Sequence, residues 1–220
     1  MNALHLISDT LPPLRTSDTG EVALQLMADY QVKQLPIVNN EQFLGLIAEE
    51  DILEQGMLED PIGNMQLSYY KPYVNEADHI YQVLRTAANL KLSLIPVVDI
   101  DNNYKGIITL EALLAEFARL SSITDPGGIL ELEVNVRDYS LTEISRIVES
   151  NDATILSLYT TTKSESTQRE ITLKLNKEDL RAVMAAFERF GYTIRNYYQK
   201  SDFEEDLRDR YESFIRYLNI

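Results

Sequence analysis

The sequence contains no cysteine and only two histidines. Disulfide frameworks, thiolate nucleophiles, iron–sulfur clusters and Cys-type zinc sites are thereby excluded together. Basic residues are scarce too: 20 Lys plus Arg stand against 35 Asp plus Glu, a net charge of −15. That balance disfavours a nucleic-acid backbone or an anionic membrane as the main partner. No apolar run reaches the roughly 18 residues of a membrane-spanning helix. The opening MNALHLISDT lacks the cationic patch and long apolar core of a secretory signal. The expectation is a soluble cytoplasmic protein. What is present suffices for folding, since 220 residues at 45% hydrophobic can bury one large core or two modest ones.

An internal repeat organises the first half. Ser8 and Ser68, Pro12 and Pro72, Asp18 and Asp78, Leu24 and Leu84, and Pro36 and Pro96 are each 60 apart, while Gly45 and Gly106 are 61 apart. The single slip places one extra residue in the second turn. Each copy is expected to run through an extended segment with a Pro, a helix, a strand, a turn, a second strand and a second helix. In the first copy Asp18 and Glu21 fit a capping box, followed by Val22, Ala23, Leu26, Met27 and Tyr30 at helical spacing. Strands are predicted over 34–38 and 43–47, with a helix from about Glu49. In the second copy the corresponding strands are 94–98 and 104–108, and the last helix spans about 110–120.

Asp125-Pro126-Gly127-Gly128 ends the repeat region, because Pro and paired Gly stop helix and strand alike. Beyond it Leu130, Leu132, Val134 and Val136 alternate with polar residues, as in a strand with one wet face. A helix follows from about Ser140. Strands 153–161 and 169–175 flank a polar hairpin at 162–166, Asn176 is placed to cap a helix reaching Phe190, and a strand over 192–198 closes the order βαββαβ, a ferredoxin-like plait. In the tail, Phe203, Leu207, Tyr211, Phe214, Ile215 and Leu218 mark one face of an amphipathic helix. The predicted fold class is α/β (α+β), with repeats at 1–60 and 61–122, the plait at 129–199 and the C-terminal helix at 201–220.

The two copies resemble the CBS domain, which occurs in tandem as a Bateman module. The likeness rests on Leu35-Pro36-Ile37-Val38 and Ile95-Pro96-Val97-Val98, and on the segments beginning Gly45-Leu46-Ile47-Ala48 and Gly106-Ile107-Ile108-Thr109. The resemblance implies a cleft between repeats that holds an adenosine compound such as AMP, ADP, ATP or S-adenosylmethionine. The family pattern is Gly-h-h-Thr/Ser-x-x-Asp, in which the carboxylate accepts from the ribose hydroxyls and the Thr or Ser hydroxyl helps hold phosphate. Here the pattern is split. The first copy has Asp51 but Ala48 at the hydroxyl position, and the second has Thr109 but Ala112 at the carboxylate position. The implied ligand-binding residues are Asp51 for ribose, Leu35, Pro36, Ile95 and Pro96 for an apolar adenine slot, and Thr109 for phosphate. Helix capping is the alternative employment of Asp51 and Thr109.

The plait resembles the ACT domain, a fold that often binds amino acids at dimer interfaces. Asp138 in Val136-Arg137-Asp138-Tyr139-Ser140-Leu141 fits the turn after its first strand, but the family's Pro-Gly is absent. A structural or dimerising role is therefore favoured over ligand binding. The whole arrangement resembles bacterial CBS–ACT proteins of the acetoin-utilisation type. His5 and His79 lack metal-ligand spacing and are expected at the surface. With no nucleophile elbow and no phosphate loop, no catalytic residue and no metal site is assigned. The C-terminal tyrosines lack the basic residues of a nucleic-acid platform. The expected function is a non-catalytic regulatory module that senses an adenosine-containing metabolite and acts through a homodimer or an unidentified protein partner. The alternative is an interaction scaffold whose ligand sites are degenerate.

Overall fold

The computed structural model describes residues 1–8, 10–56, 58–67, 71–162 and 167–199. The expected C-terminal helix at 201–220 and the hairpin tip at 163–166 lie outside the described residues. The chain divides into two compact units, Met1–Phe117 and Ala118–Ile220. The architecture is the mixed α/β one expected, with two repeats of one unit followed by a plait.

In the first repeat α1 (Gly20–Asp29) precedes the antiparallel pair β1 (Gln34–Asn39) and β2 (Gln42–Ala48), and α2 (Glu49–Gln55) follows directly. The second repeat adds a short strand, β3 (Val74–Asn75), parallel to β4 (Leu94–Val98); α3 (Ile80–Leu90) lies between them, and β5 (Tyr104–Thr109) and α4 (Leu110–Leu120) complete it. The extra residue found by the repeat arithmetic lies in the second turn. Between β1 and β2 only Asn40 and Glu41 intervene, at φ 45 and 72, the signature of a tight hairpin of the primed kind. The longer turn from Asp99 to Asn103 is tied by the Asp99 carboxylate. Its Oδ1 accepts from the backbone N–H of Asp101 and Asn103, and its Oδ2 from Asn103 Nδ2. Gly106 follows at φ 142, a conformation that excludes a side chain.

One core draws on both repeats. Leu35, Leu46, Ile47 and Ile52 of the first pack with Leu92, Leu94 and Ile107 of the second. The short segments preceding each repeat are exchanged. Ala3 and Leu6, before the first repeat, are buried in the core of the second, where the N–H groups of Ala3 and Leu4 donate to Asp78 and Glu76 carbonyls. Ile62 and Met65, before the second repeat, are buried in the core of the first, and the Ile62 N–H donates to the Asp18 carbonyl. Division of the sequence at residue 60 therefore does not divide the packing.

Two expected caps are corrected. The residue capping α1 is Thr19, whose hydroxyl accepts from Val22 N–H. Asp18 instead closes the preceding turn by accepting from Arg15 N–H, as Asp78 does from Asn75 N–H one repeat later. Asn176 does not cap the following helix, which begins only at Arg181 with Leu180 at its N-cap; its Oδ1 accepts instead from Thr154 N–H.

The second unit runs β6 (Ile129–Asn135), α5 (Leu141–Glu149), β7 (Ile155–Thr162), β8 (Gln168–Leu175), α6 (Arg181–Arg189) and β9 (Thr193–Tyr198), and its four strands form one antiparallel sheet in the order β7-β8-β6-β9. That is the ferredoxin-like order. The core gathers Leu130 and Leu132 of β6, Ile144 and Ile147 of α5, Leu173 of β8 and Phe187 of α6. Ser140 caps α5 through Glu143 N–H. Among the described residues no helix is long and apolar enough to cross a membrane.

Candidate functional site

The split motif falls where β2 becomes α2 and where β5 becomes α4. Asp51 sits in the first turn of α2, is 5% exposed, and accepts from the Ala48 N–H at 2.8 Å through Oδ2. It thus caps its own helix. Glu49 and Glu50 share that turn, a charge arrangement that suits the positive helix N-terminus but opposes an incoming phosphate. In the second repeat the Thr109 hydroxyl accepts from Ala112 N–H at 3.1 Å and starts α4. Both candidate residues therefore perform the alternative capping role.

The two motif turns lie at the same end of the repeat pair. Ala48 is in register with Gln34, and Thr109 with Leu94. Gln34 is joined to the residue before Leu94: its Oε1 accepts from Ser93 N–H at 3.0 Å and lies 2.6 Å from the Ser93 hydroxyl, which in turn accepts from Lys33 N–H. Lys33 and Ser93 are 60 positions apart, the repeat offset itself. On the other side of Asp51, Gln55 Nε2 donates to the carbonyls of Asp51 and Gln66, and its Oε1 accepts from Gln66 N–H. Gln66 leads into 68–70, which lie outside the described residues.

Sequence reasoning did not single out Gln34, Ser93, Gln55 or Gln66. A polar residue opening an otherwise apolar strand was the available signal for Gln34. The four apolar candidates are all interior: Leu35 and Ile95 have no exposed surface, and Pro36 and Pro96 are buried. Cavities lined by described residues include one of about 660 Å³ beside Leu14 and Val38, one of about 260 Å³ beside Phe43 and Tyr73, and one of about 380 Å³ beside Asp138 and Tyr192. None of the six expected ligand-binding residues lines any of them. His5 and His79 are exposed, and His79 caps α3 by accepting from Tyr81 N–H. In the third cavity Tyr192 donates to Glu143 at 3.0 Å, and burial with this acidic acceptor pushes the phenol up to about 12.

Two repeats of helix, hairpin and helix on one shared core, each preceded by an exchanged segment, define a tandem-repeat α/β fold. Residues 5–57 and 65–119 match the family model of the CBS domain, and the chain carries a tandem pair of CBS domains. It is similar to the inosine-5'-monophosphate dehydrogenase of Bacillus subtilis, 29% identical over 140 residues, which are 59% of this chain and 28% of that enzyme. The chain thus spans little more than a quarter of that relative's length. Its fold is similar to that of a CBS domain pair/ACT domain protein of Thermotoga maritima, with a TM-score of 0.50 and 24% identity, covering 54% of this chain and 98% of that one. It is also similar to CBSX2 in a complex with AMP, with a TM-score of 0.45 and 20% identity over 54% and 96% of the respective chains.

Proposed function

We propose that the chain is a non-catalytic regulatory module whose CBS pair takes an adenosine-containing metabolite beside Asp51, with the ACT-like plait mediating assembly. The observation that carries this is the position of Asp51: a carboxylate at the start of α2, beside the Gln34–Ser93 link that ties the two repeats together. Ribose hydroxyls would donate to the Asp51 carboxylate. The buried segments Leu35-Pro36 and Ile95-Pro96 would back the adenine site from within the core, and Thr109 would be the weaker phosphate contact. A ligand held by both repeats favours the relative arrangement it binds more tightly, so its signal is a shift in population.

The competing reading is an interaction scaffold, favoured by the use of Asp51 and Thr109 as helix caps. A thermal-shift panel of AMP, ADP, ATP, adenosine, S-adenosylmethionine and NAD separates the two. Sensing requires that at least one compound raise the melting temperature and that Asp51→Ala abolish the rise. If no compound acts, or if Asp51→Ala responds like the parent, the scaffold reading replaces it.

A further inference from the structure

The two motif turns differ in the residue at the hydroxyl position, and the strand opposite differs with them. Where β5 ends in Thr109, the residue in register on β4 is Leu94. Where β2 ends in Ala48, the residue in register on β1 is Gln34. Residues in register in an antiparallel pair share one face of the sheet. The copy that carries a hydroxyl therefore faces it with leucine, and the copy that carries alanine faces it with an amide. Each place keeps one polar side chain, on opposite strands of its hairpin.

Gln34 is 5% exposed, and its bonds settle which end of the amide is free. The backbone N–H of Ser93 can only donate, so the atom 3.0 Å from it is the oxygen. The Ser93 hydroxyl accepts from Lys33 N–H and gives its own proton to the same oxygen at 2.6 Å. Oε1 is thus held twice by one residue. Nε2 is the end left over, and among the described residues it donates to no protein group. A nearly buried NH2 group is costly to leave without an acceptor. With its oxygen already taken, this side chain can serve a ligand only as a donor.

We infer that Gln34 is a specificity-determining residue of the site beside Asp51: its Nε2 donates to a ring nitrogen of the adenine base, supplying from β1 the side-chain donor that Ala48 cannot supply from β2. The inference deepens the reading of that site and rests on it. The acceptor is uncharged, because the amide is neutral and Glu49, Glu50 and Asp51 in the first turn of α2 oppose an anion. It belongs to the base, since Asp51 takes the ribose hydroxyls and Leu35-Pro36, which back the base, follow Gln34 directly in sequence. A base presenting N–H at that point sets donor against donor and is rejected.

The test is calorimetric titration of the full chain with adenosine and with the three deaza-adenosines, in which ring N1, N3 or N7 is replaced by C–H. The parent should bind at least one analogue about three- to tenfold more weakly than adenosine, the loss of one neutral hydrogen bond. Gln34→Glu keeps an oxygen for Ser93 but puts an acceptor where the donor was. Gln34→Leu installs the residue found at the same place in the second copy. Both variants should bind adenosine more weakly and no longer separate it from that analogue, whereas a purely structural role would weaken both compounds alike and preserve their ratio. Equal parental affinity for adenosine and all three analogues overturns the inference and leaves the Asp51 site standing, as do variants that keep the parental ratio. A parent that binds none of the four compounds overturns both.

Discussion

Single residues carry the sharpest constraints in the second unit. Gly127 lies at φ +136, and a Cβ there would stand 1.9 Å from the Leu175 carbonyl oxygen. Its own carbonyl accepts from Lys174 Nζ at 3.0 Å, which holds the segment against β8. Gly127→Ala should therefore cost at least about 2 kcal/mol, from backbone strain and displacement together; a urea midpoint within error of the parent would refute this. In the first unit Asp99 is the residue to titrate. Hydrogen bonds from the Asn103 side chain and backbone, with help from Lys105, hold its carboxyl at about 2, against an ordinary 3.8. A depressed carboxylate stabilises the folded chain fully above its unfolded value and loses that contribution as pH falls through its folded value. Asp99→Asn should accordingly flatten the decline of melting temperature between about pH 4 and pH 2, and an unchanged slope would count against the assignment. Asp125-Pro126-Gly127-Gly128 was legible as a break between α4 and β6 because Pro and Gly act locally. The choice of Thr19 over Asp18 as a cap was not, since both residues suit the role and only the turn that Asp18 closes decides between them.

At the level of elements, the repeat arithmetic was informative because both hairpins and both strand-to-helix turns are built from neighbours in sequence. The extra residue in the second turn appears where the change of offset placed it. Exchange of the segments before each repeat was not legible, because a few apolar residues in a short turn do not say which core they join. Leu6 is 7% exposed and lies in the second repeat's core, so Leu6→Ala should cost about 2–5 kcal/mol, as other large-to-small core changes do. Hydrogen exchange localises the effect. The amides of α3 and β5 should lose protection first, while those of β1 and β2 keep theirs; preferential loss in β1 and β2 would mean that Leu6 supports the first repeat instead. The candidate site divides along the same line. Asp51 and Thr109 were singled out by the resemblance to the CBS pattern, whereas the Gln34–Ser93 link depends on tertiary contact between residues 59 positions apart.

For the whole molecule, charge decides what the proposed site should prefer. Residues 1–124 hold 7 basic and 17 acidic residues, so 10 of the 15 net negative charges fall in the CBS half. Three of those acids, Glu49, Glu50 and Asp51, share the first turn of α2, and the hydroxyl position of that motif is Ala48. A triphosphate entering there meets a negative field and finds no side-chain donor at that position, while an adenosine without phosphate loses nothing by either feature. Adenosine and S-adenosylmethionine should therefore raise the melting temperature more than ATP at low ionic strength. Salt provides the internal control. At about 0.3 M the screening length falls well below 10 Å, so the disadvantage of ATP should shrink if the acidic field causes it and persist if the missing hydroxyl does. A thermal shift with ATP larger than with adenosine at low salt would show that local cations, Lys33 among them, outweigh the charge of the surrounding half-protein.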